Sequence, residues 1–182
     1  LRFGLDAFGA DSDPPDPARD IPRAQFFKIE AGWQRQGAIG TAGTMVNDLR
    51  LQWSPHTLYG AEQMSLGSFS TVRGYENPVA TGDIGFYIRN DLYLPPDIWN
   101  GLPEGRAAEI AARTQTHLFL DLGLTHDHAR NTTEKAAGLG FGLSYYHQRF
   151  TLSGTIGVPL IRNDRLRIGD PVAQLRLDLK TW

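Results

Sequence analysis

The 182-residue sequence contains no cysteine, which excludes a disulfide framework, a thiolate zinc site, an iron–sulfur cluster and a cysteine nucleophile. It also has no excess of either charge, since 18 Lys and Arg residues stand against 20 Asp and Glu residues, for a net charge of −2. A chain so balanced is not an electrostatic nucleic-acid binder, and we expect no nucleic-acid partner.

Long apolar runs are missing too, and none approaches the ~18 residues that a membrane-spanning helix needs. This excludes a helical membrane protein but not a transmembrane β-barrel, whose strands need only ~9–11 residues of alternating character. The sequence begins with leucine rather than methionine and has no signal-like opening. We therefore expect the chain to be a piece of a longer one.

What the sequence does contain is hydrophobic alternation with a period of two. In residues 116–124, four leucines alternate with His117, Phe119, Asp121 and Gly123. Eight segments show this pattern: residues 2–8, 24–36, 45–54, 82–94, 116–124, 137–146, 150–160 and 172–180. The sequence thus predicts an all-β protein with eight antiparallel strands.

One face of these strands is almost purely apolar, whereas the other carries charges of both signs. The charged face includes Lys28, Glu30, Asp48, Arg50, Asp83, Arg89 and Asp91. A soluble antiparallel sheet alternates in the same way. However, several of the predicted strands are longer than the ~5–6 residues usual in soluble proteins. Trp and Tyr also stand near the expected ends of these strands, at positions 33, 53, 93 and 145. These features favour a transmembrane barrel with the charged residues lining its lumen.

The connections between strands also alternate in length. They are short after the second and sixth strands (38–43 and 147–148) and long after the first, third, fifth and seventh. This asymmetry is typical of outer-membrane barrels, whose long loops are extracellular. The connection 95–115 breaks the pattern, and its alanine-rich composition predicts a small helix over 104–113.

The longest outer loop, residues 56–81, contains the run Val72-Arg73-Gly74-Tyr75 and is followed by Gly82-Asp83 and Gly85-Phe86-Tyr87-Ile88-Arg89-Asn90-Asp91-Leu92. The later run Phe119-Leu120-Asp121-Leu122-Gly123 has a matching spacing and strand context. Together these runs resemble the C-terminal barrel of two-partner secretion transporters, the TpsB family. Ser68 and Thr71 are mild departures from its pattern, and Trp182 falls out of phase with the outward leucines of the last strand.

The resemblance implies a 16-stranded outer-membrane barrel of a Gram-negative bacterium, preceded by two POTRA domains and a plug helix. This chain, 1–182, would be its C-terminal half, without the POTRA domains and the first half of the barrel. Loop 56–81 would fold into the lumen, with Val72, Arg73, Gly74 and Tyr75 as a locking motif. Phe119, Asp121 and Gly123 would be its lumen partners, with Gly123 leaving room for an incoming side chain.

The resemblance further implies a pore that exports a large adhesin- or haemolysin-type exoprotein. Its other partners would be outer-membrane lipid, lipopolysaccharide, the POTRA domains and the remaining barrel strands. We found no nucleotide-binding loop and no catalytic constellation, so we expect neither an enzyme nor a cofactor. Export would then be driven by folding of the exported chain outside.

Two alternatives remain. An outer-membrane protein insertase of the barrel-assembly type shares the Val-Arg-Gly-aromatic loop but typically carries five POTRA domains. A self-contained eight-stranded barrel, acting as a lipid-modifying enzyme or an anchor, is the weakest hypothesis, because side chains fill so narrow a lumen.

Three further segments carry weaker signals. His126-Asp127-His128 offers plausible metal ligands but no evident additional one, so we expect no metal site. The acidic, proline-rich stretch 11–22 and the mixed-charge stretch 162–170 are expected to be solvated outer loops.

Overall fold

The computed structural model describes residues 1–4, 13, 18, 20–162 and 168–180. Their strands are β1 (Arg2–Phe3), β2 (Phe27–Ile39), β3 (Gly43–Trp53), β4 (Met64–Leu66), β5 (Ala80–Gly82), β6 (Ile84–Tyr93), β7 (Thr114–Asp127), β8 (Thr132–Tyr146), β9 (Phe150–Pro159) and β10 (Val172–Leu179). Between β6 and β7 lie a 3₁₀ turn at Pro96–Trp99 and helix α1 (Arg106–Ala111). No helix in the described part of the chain has the length and apolar character to cross a membrane.

Eight strands form one antiparallel sheet in the order β1-β2-β3-β6-β7-β8-β9-β10. The longest are β7, with 14 residues, and β8, with 15, and they pair along their length from Thr114 opposite Tyr145 to Asp127 opposite Thr132. The sheet is open, because β1 and β10 each have a single neighbour among the described residues. Strands β4 and β5 form a separate hairpin within the long connection from β3 to β6.

The eight predicted strands are confirmed, with shifted boundaries. The second begins three residues later than predicted, at Phe27, and the sixth begins five residues earlier, at Thr132. The predicted helix is confirmed as α1. Residues 5–8 of the first predicted strand, most of stretch 11–22, residues 163–167 and Trp182 lie outside the described residues.

Two expectations are wrong in detail, and one element was not predicted. The connection after the fifth predicted strand is a turn at 128–131 rather than a long loop, because the alternation of β7 and β8 continues to Asp127 and from Thr132. Trp33 lies in the middle of β2, because that strand extends to Ile39. The hairpin β4–β5 was not predicted, since strands of three residues carry too little alternation to detect.

The two faces of the sheet differ as the alternation predicts. The apolar face exposes large side chains, among them Trp33 (51%), Leu120 (41%), Phe141 (44%) and Leu177 (58%). On the charged face of β7, Phe119 and Asp121 are buried beneath the β3–β6 connection. So continuous an exposed apolar surface is unfavourable in water and suits hydrocarbon.

The open edges lead to a testable prediction for the 182-residue chain alone. The free edges of β1 and β10 would leave unpaired backbone groups in lipid, each costing several kcal/mol. We therefore expect no homogeneous, monomeric, heat-modifiable species on a detergent gel. Such a species would contradict the half-barrel hypothesis.

A second prediction concerns orientation. The β7–β8 turn lies at the same end of the sheet as the β3–β6 connection, and the β8–β9 turn lies at the other. These 182 residues contain no cysteine, so Arg130→Cys and His147→Cys would each be the one thiol of this segment, in a full-length protein whose other cysteines, if any, have been replaced. We expect an impermeant maleimide to label position 130, but not 147, on intact cells. The reverse pattern would invert the orientation.

Candidate functional site

The connection between β3 and β6, residues 54–83, is referred to as the Arg73 loop. It lies on the charged face of the sheet and contributes most of the buried apolar side chains. Its cluster contains Leu66, Val72, Tyr75, Ala80 and Ala136 of β8, with Met64, Val79 and Tyr87 packed around it. The loop is thus anchored to the sheet by its own small core.

Glycines on the charged face allow the loop to approach the strands closely. A Cβ added at Gly138 would stand 1.7 Å from the carbonyl oxygen of Arg73, and one at Gly157 would lie 3.1 Å from the Gly74 backbone. Gly74 itself has φ of 96°, which strongly favours glycine. Any side chain at Gly138 would therefore push the loop away from the sheet.

Gly123 also makes room for the loop, but for different side chains than expected. A Cβ there would stand 2.9 Å from Leu66 and 3.1 Å from Val72. The sequence predicted space for an arriving Arg73 side chain. The structure fills that space with the aliphatic core of the loop.

Arg73 donates hydrogen bonds to two carboxylates. Its Nε–H donates to Asp121 Oδ2 at 2.6 Å, and its Nη2–H donates to Asp121 Oδ1 at 2.8 Å. Its backbone N–H also donates to Asp121 Oδ2, at 3.0 Å. The remaining arm, Nη1, donates to Asp91 Oδ1 at 2.6 Å. The guanidinium thus bridges neighbouring strands β6 and β7.

This ion cluster is shielded from solvent. Arg73 is 4% exposed, Asp121 is 0% and Asp91 is 8%. The Arg73 guanidinium carbon lies 3.9 Å from the ring centroid of Phe119, which adds a cation–π contact. Burial alone would lower the pKa of Arg73, but its hydrogen bonds to Asp121 and Asp91 and the negative charges of these carboxylates outweigh burial and raise the pKa.

Tyr75 secures the loop to the next pair of strands. Its side chain is fully buried, and its Oη lies 3.0 Å from the carbonyl oxygen of Ala137 and 3.1 Å from that of Ile161. The same oxygen accepts a hydrogen bond from the Ala137 backbone N–H at 3.2 Å. All four residues of the Val72–Tyr75 run therefore contact the sheet, either directly or through backbone.

The predicted lumen-lining residues fall into two groups. Glu30, Asp48 and Arg50 remain partly open, and Arg50 donates to Asp48 on the same strand at 2.8 Å. Lys28 instead is 2% exposed, and its Nζ contacts the carboxylate and the carbonyl oxygen of Glu62 in the loop, both at 2.9 Å. The loop thus covers part of the surface expected to be hydrated.

Asp83, the last residue of the Arg73 loop, and Arg89 of β6 also contact residues of the loop. Asp83 is fully buried and accepts hydrogen bonds from the backbone N–H groups of Leu58 and His128, both at 2.7 Å, and from Gln63 Nε2 at 3.2 Å. Arg89 makes a long contact of 3.5 Å from Nη1 to the Ser70 carbonyl oxygen. Asp83 therefore organises the ends of the loop rather than the open surface.

Sequence reasoning missed the role of Asp91 as the second carboxylate on Arg73. The only sequence signal for this role was the position of Asp91 on the charged face. In the sheet Asp91 pairs with Phe119, which stands two residues before Asp121 on β7. The contact between Lys28 and Glu62 was missed as well, because it depends on the path of the loop.

The candidate metal triplet divides between a strand and a turn. His126 and Asp127 end β7, and His128 begins the β7–β8 turn. Within the described residues, no group of three or more His, Asp or Glu side chains could hold a metal ion.

Comparison with known proteins gives consistent matches. The model of the haemolysin secretion/activation protein family ShlB/FhaC/HecB matches residues 1–145. The outer membrane transporter CdiB of Escherichia coli is 32% identical over 168 residues, covering 90% of this chain and 26% of that protein. CdiB of Dickeya dadantii is 29% identical over 157 residues, covering 86% of this chain and 27% of that protein. The chain thus spans about a quarter of the length of the curated relatives it matches.

Solved structures of CdiB share the fold of this chain. CdiB from Escherichia coli superposes with a TM-score of 0.76 at 27% identity, covering 95% of this chain and 31% of the solved one. CdiB from Acinetobacter baumannii superposes with a TM-score of 0.64 at 21% identity, covering 85% of this chain and 27% of the solved one. This match shows the shared fold alone.

The glycine contacts predict how the loop can be displaced without substituting any residue of the ion cluster. In a Val72→Cys background the new thiol should be protected, since Val72 is fully buried. Gly138→Ala should expose it, because overpacking of about 1–3 kcal/mol corresponds to roughly 5- to 150-fold faster maleimide labelling. Gly154→Ala is the matched control, since its Cβ would meet nothing closer than 3.9 Å. Equal protection in both variants would contradict this packing.

Proposed function

The chain belongs to the haemolysin secretion/activation protein family ShlB/FhaC/HecB, the TpsB family, and we propose on this premise that it forms part of a pore that exports a large partner exoprotein by two-partner secretion. The exported partner would be of the adhesin or haemolysin type. The chain would supply the C-terminal part of the barrel, residues 1–182, with the other strands and the POTRA domains supplied by the rest of the protein.

The protein is located in the outer membrane of a Gram-negative bacterium, as are the outer membrane transporters it resembles. Its family is one of protein transport rather than of enzymes. The exposed apolar face would contact outer-membrane lipid and lipopolysaccharide. The charged face would line the lumen, where the open ion pair of Arg50 and Asp48 suits a polypeptide of mixed charge.

The observation that carries the proposal is the Arg73 loop on the charged face. A loop held across the lumen-facing surface would narrow a pore at rest and would have to shift when a polypeptide passes. The ion cluster of Arg73, Asp121 and Asp91 gives this position its specificity, because it joins the loop to two strands at one point. We propose that Val72, Arg73, Gly74 and Tyr75 act as the locking motif and that Phe119, Asp121 and Gly123 receive it.

The strength of the cluster follows from its burial. Hydrogen bonds to charged groups contribute about 1.5–3 kcal/mol each when shielded, whereas exposed ion pairs contribute about 0–1 kcal/mol. Removing one partner of a buried pair leaves an uncompensated charge and costs more, about 3–5 kcal/mol. The loop position should therefore depend strongly on Arg73 and Asp121 and only weakly on the exposed pair of Arg50 and Asp48.

The different weights of the buried and the exposed ion pair can be tested by measuring how much partner exoprotein the cells secrete. Arg73→Ala and Asp121→Ala should each reduce secretion strongly without preventing assembly of the barrel. Arg73→Lys should also be impaired, because lysine loses the planar fork that reaches both carboxylates. Asp91→Asn should be milder than Asp121→Asn, since Asp91 accepts one hydrogen bond and Asp121 accepts three.

Two further variants complete the test. The Arg73→Ala/Asp121→Ala double variant should lose little more than either single variant, because the two residues act as a unit. Arg50→Ala is the matched control, since it breaks an exposed ion pair on the same face and should reduce secretion far less than Arg73→Ala. Fully additive losses, or an equal loss in Arg50→Ala, would refute the locking role.

A further inference from the structure

A basic site lies at the end of the sheet that carries the β7–β8 turn, away from the ion cluster. A cavity of about 460 Å³ opens where β6 begins at Ile84, and it is referred to as the rim pocket. It is lined by Arg23, His56 and Thr57 on one side and by His126, His128 and Asn131 of the β7–β8 hairpin on the other. None of these side chains takes part in the Arg73 cluster.

The rim pocket carries one permanent positive charge and several hydrogen-bond-donating groups. Its described lining has one arginine and three histidines, and none of the described lining residues is a carboxylate. Burial lowers the pKa of His56, and the positive charge of Arg23 lowers it further. The negative charge of Asp13 partly opposes this shift, and His128 adds a small further lowering. The pocket thus combines one permanent positive charge, that of Arg23, with imidazole hydrogen-bond donors, an arrangement that favours an anion.

The nearby carboxylates are engaged elsewhere. Asp13 accepts hydrogen bonds from the backbone N–H groups of Ala24 and Gln25. Asp127 Oδ1 accepts one from the Arg130 backbone N–H at 2.9 Å. Asp83 accepts bonds from Leu58 and His128, as described above. These acids hold backbone in place and leave the lining of the pocket basic.

The walls of the pocket are fixed by buried hydrogen bonds. The fully buried Asp83 joins the two walls, because one carboxylate oxygen binds Leu58, beside Thr57, and the other binds His128. The Arg23 backbone N–H donates to the Thr57 carbonyl oxygen at 2.9 Å. The pocket is therefore built by the fold rather than formed by surface side chains alone.

The histidine protonation pattern also provides donors. His56 Nδ1 accepts a hydrogen bond from the Phe27 backbone N–H at 3.1 Å, so its proton is on Nε2 in the neutral ring. His128 Nε2 lies 3.0 Å from the Ser54 carbonyl oxygen, which can only accept, and so this nitrogen is the donor. His126 Nδ1 contacts Thr133 Oγ1 at 3.0 Å, which leaves Nε2 without a partner among the described residues.

The location of the pocket identifies the source of the anion. His126 continues the apolar face of β7, one alternation step or about 7 Å beyond Leu124. Trp53 and Phe86 expose 45% and 37% of their surface on the same face, on strands β3 and β6. The basic groups therefore stand at the border of the apolar belt, where the headgroups of the outer leaflet lie.

We propose that the rim pocket binds the phosphate group of an outer-leaflet lipid headgroup. Arg23 supplies the permanent positive charge, and His56 and His126 supply further donors from the two walls. Lipid phosphate would thereby be held at one fixed position on the barrel wall, beside the ends of the Arg73 loop.

Native mass spectrometry of the detergent-extracted native protein tests this proposal with bis-phosphorylated and dephosphorylated lipid A as probes. The wild-type protein should bind the bis-phosphorylated form about tenfold or more tightly, as expected for one charge-assisted contact. Arg23→Gln and His126→Gln should each remove most of this preference, while Arg23→Lys should retain part of it. Secretion serves as an independent readout and need not change.

Matched controls are available at both ends of the sheet. Arg130→Gln changes an arginine of the same hairpin that does not line the pocket, and His147→Gln changes a histidine of the β8–β9 turn. Both should bind like the wild type. The proposal is overturned if Arg23→Gln and the controls behave alike, or if lipid A shows no phosphate preference. Competition by inorganic phosphate at equal concentration would assign the pocket to a free anion instead and would also overturn it.

Discussion

The position of the Arg73 loop depends on one buried guanidinium. Burying a charge costs several kcal/mol even after relaxation, and the cost is offset only when geometry and hydrogen bonding are nearly complete. Arg73 meets this condition through the bidentate contact to Asp121, the third arm to Asp91 and the ring of Phe119. A partly withdrawn loop would lose this compensation while the charges stayed shielded. Partly withdrawn positions of the loop are therefore unfavourable.

The ion cluster in turn requires glycine at the positions where the loop packs on the strands. Gly138 and Gly157 let the loop backbone rest directly on β8 and β9, and Gly123 admits the aliphatic core of the loop. With larger residues there, Arg73 would stand too far from the strands for its short hydrogen bonds. The glycines that weaken a strand by conformational entropy are thus the ones that position the charge.

The sequence predicted the strands well because the period of two extends over many residues in β7 and β8, and parity alone placed Asp121 on the charged face. It could not predict Asp91 as the second partner of Arg73, since that contact depends on the path of the loop between distant segments. Trp33 was misplaced because a shift of three residues in the boundaries of β2 moves a tryptophan from the end of the strand to its middle. Alternation determines the face of a residue, whereas boundaries and loop contacts depend on tertiary packing.

The two carboxylates that share Arg73 would respond differently to its departure. Asp91 keeps 8% of its surface exposed, so water can replace the guanidinium there. Asp121 is fully buried, and each side-chain or backbone group that donates to it in the described residues belongs to Arg73. The free energy that retains the loop is therefore concentrated at Asp121, because this carboxylate would be left desolvated and unpaired. Asp91 instead completes the third arm of the fork and fixes its orientation, and the two acids contribute unequally although their chemistry is the same.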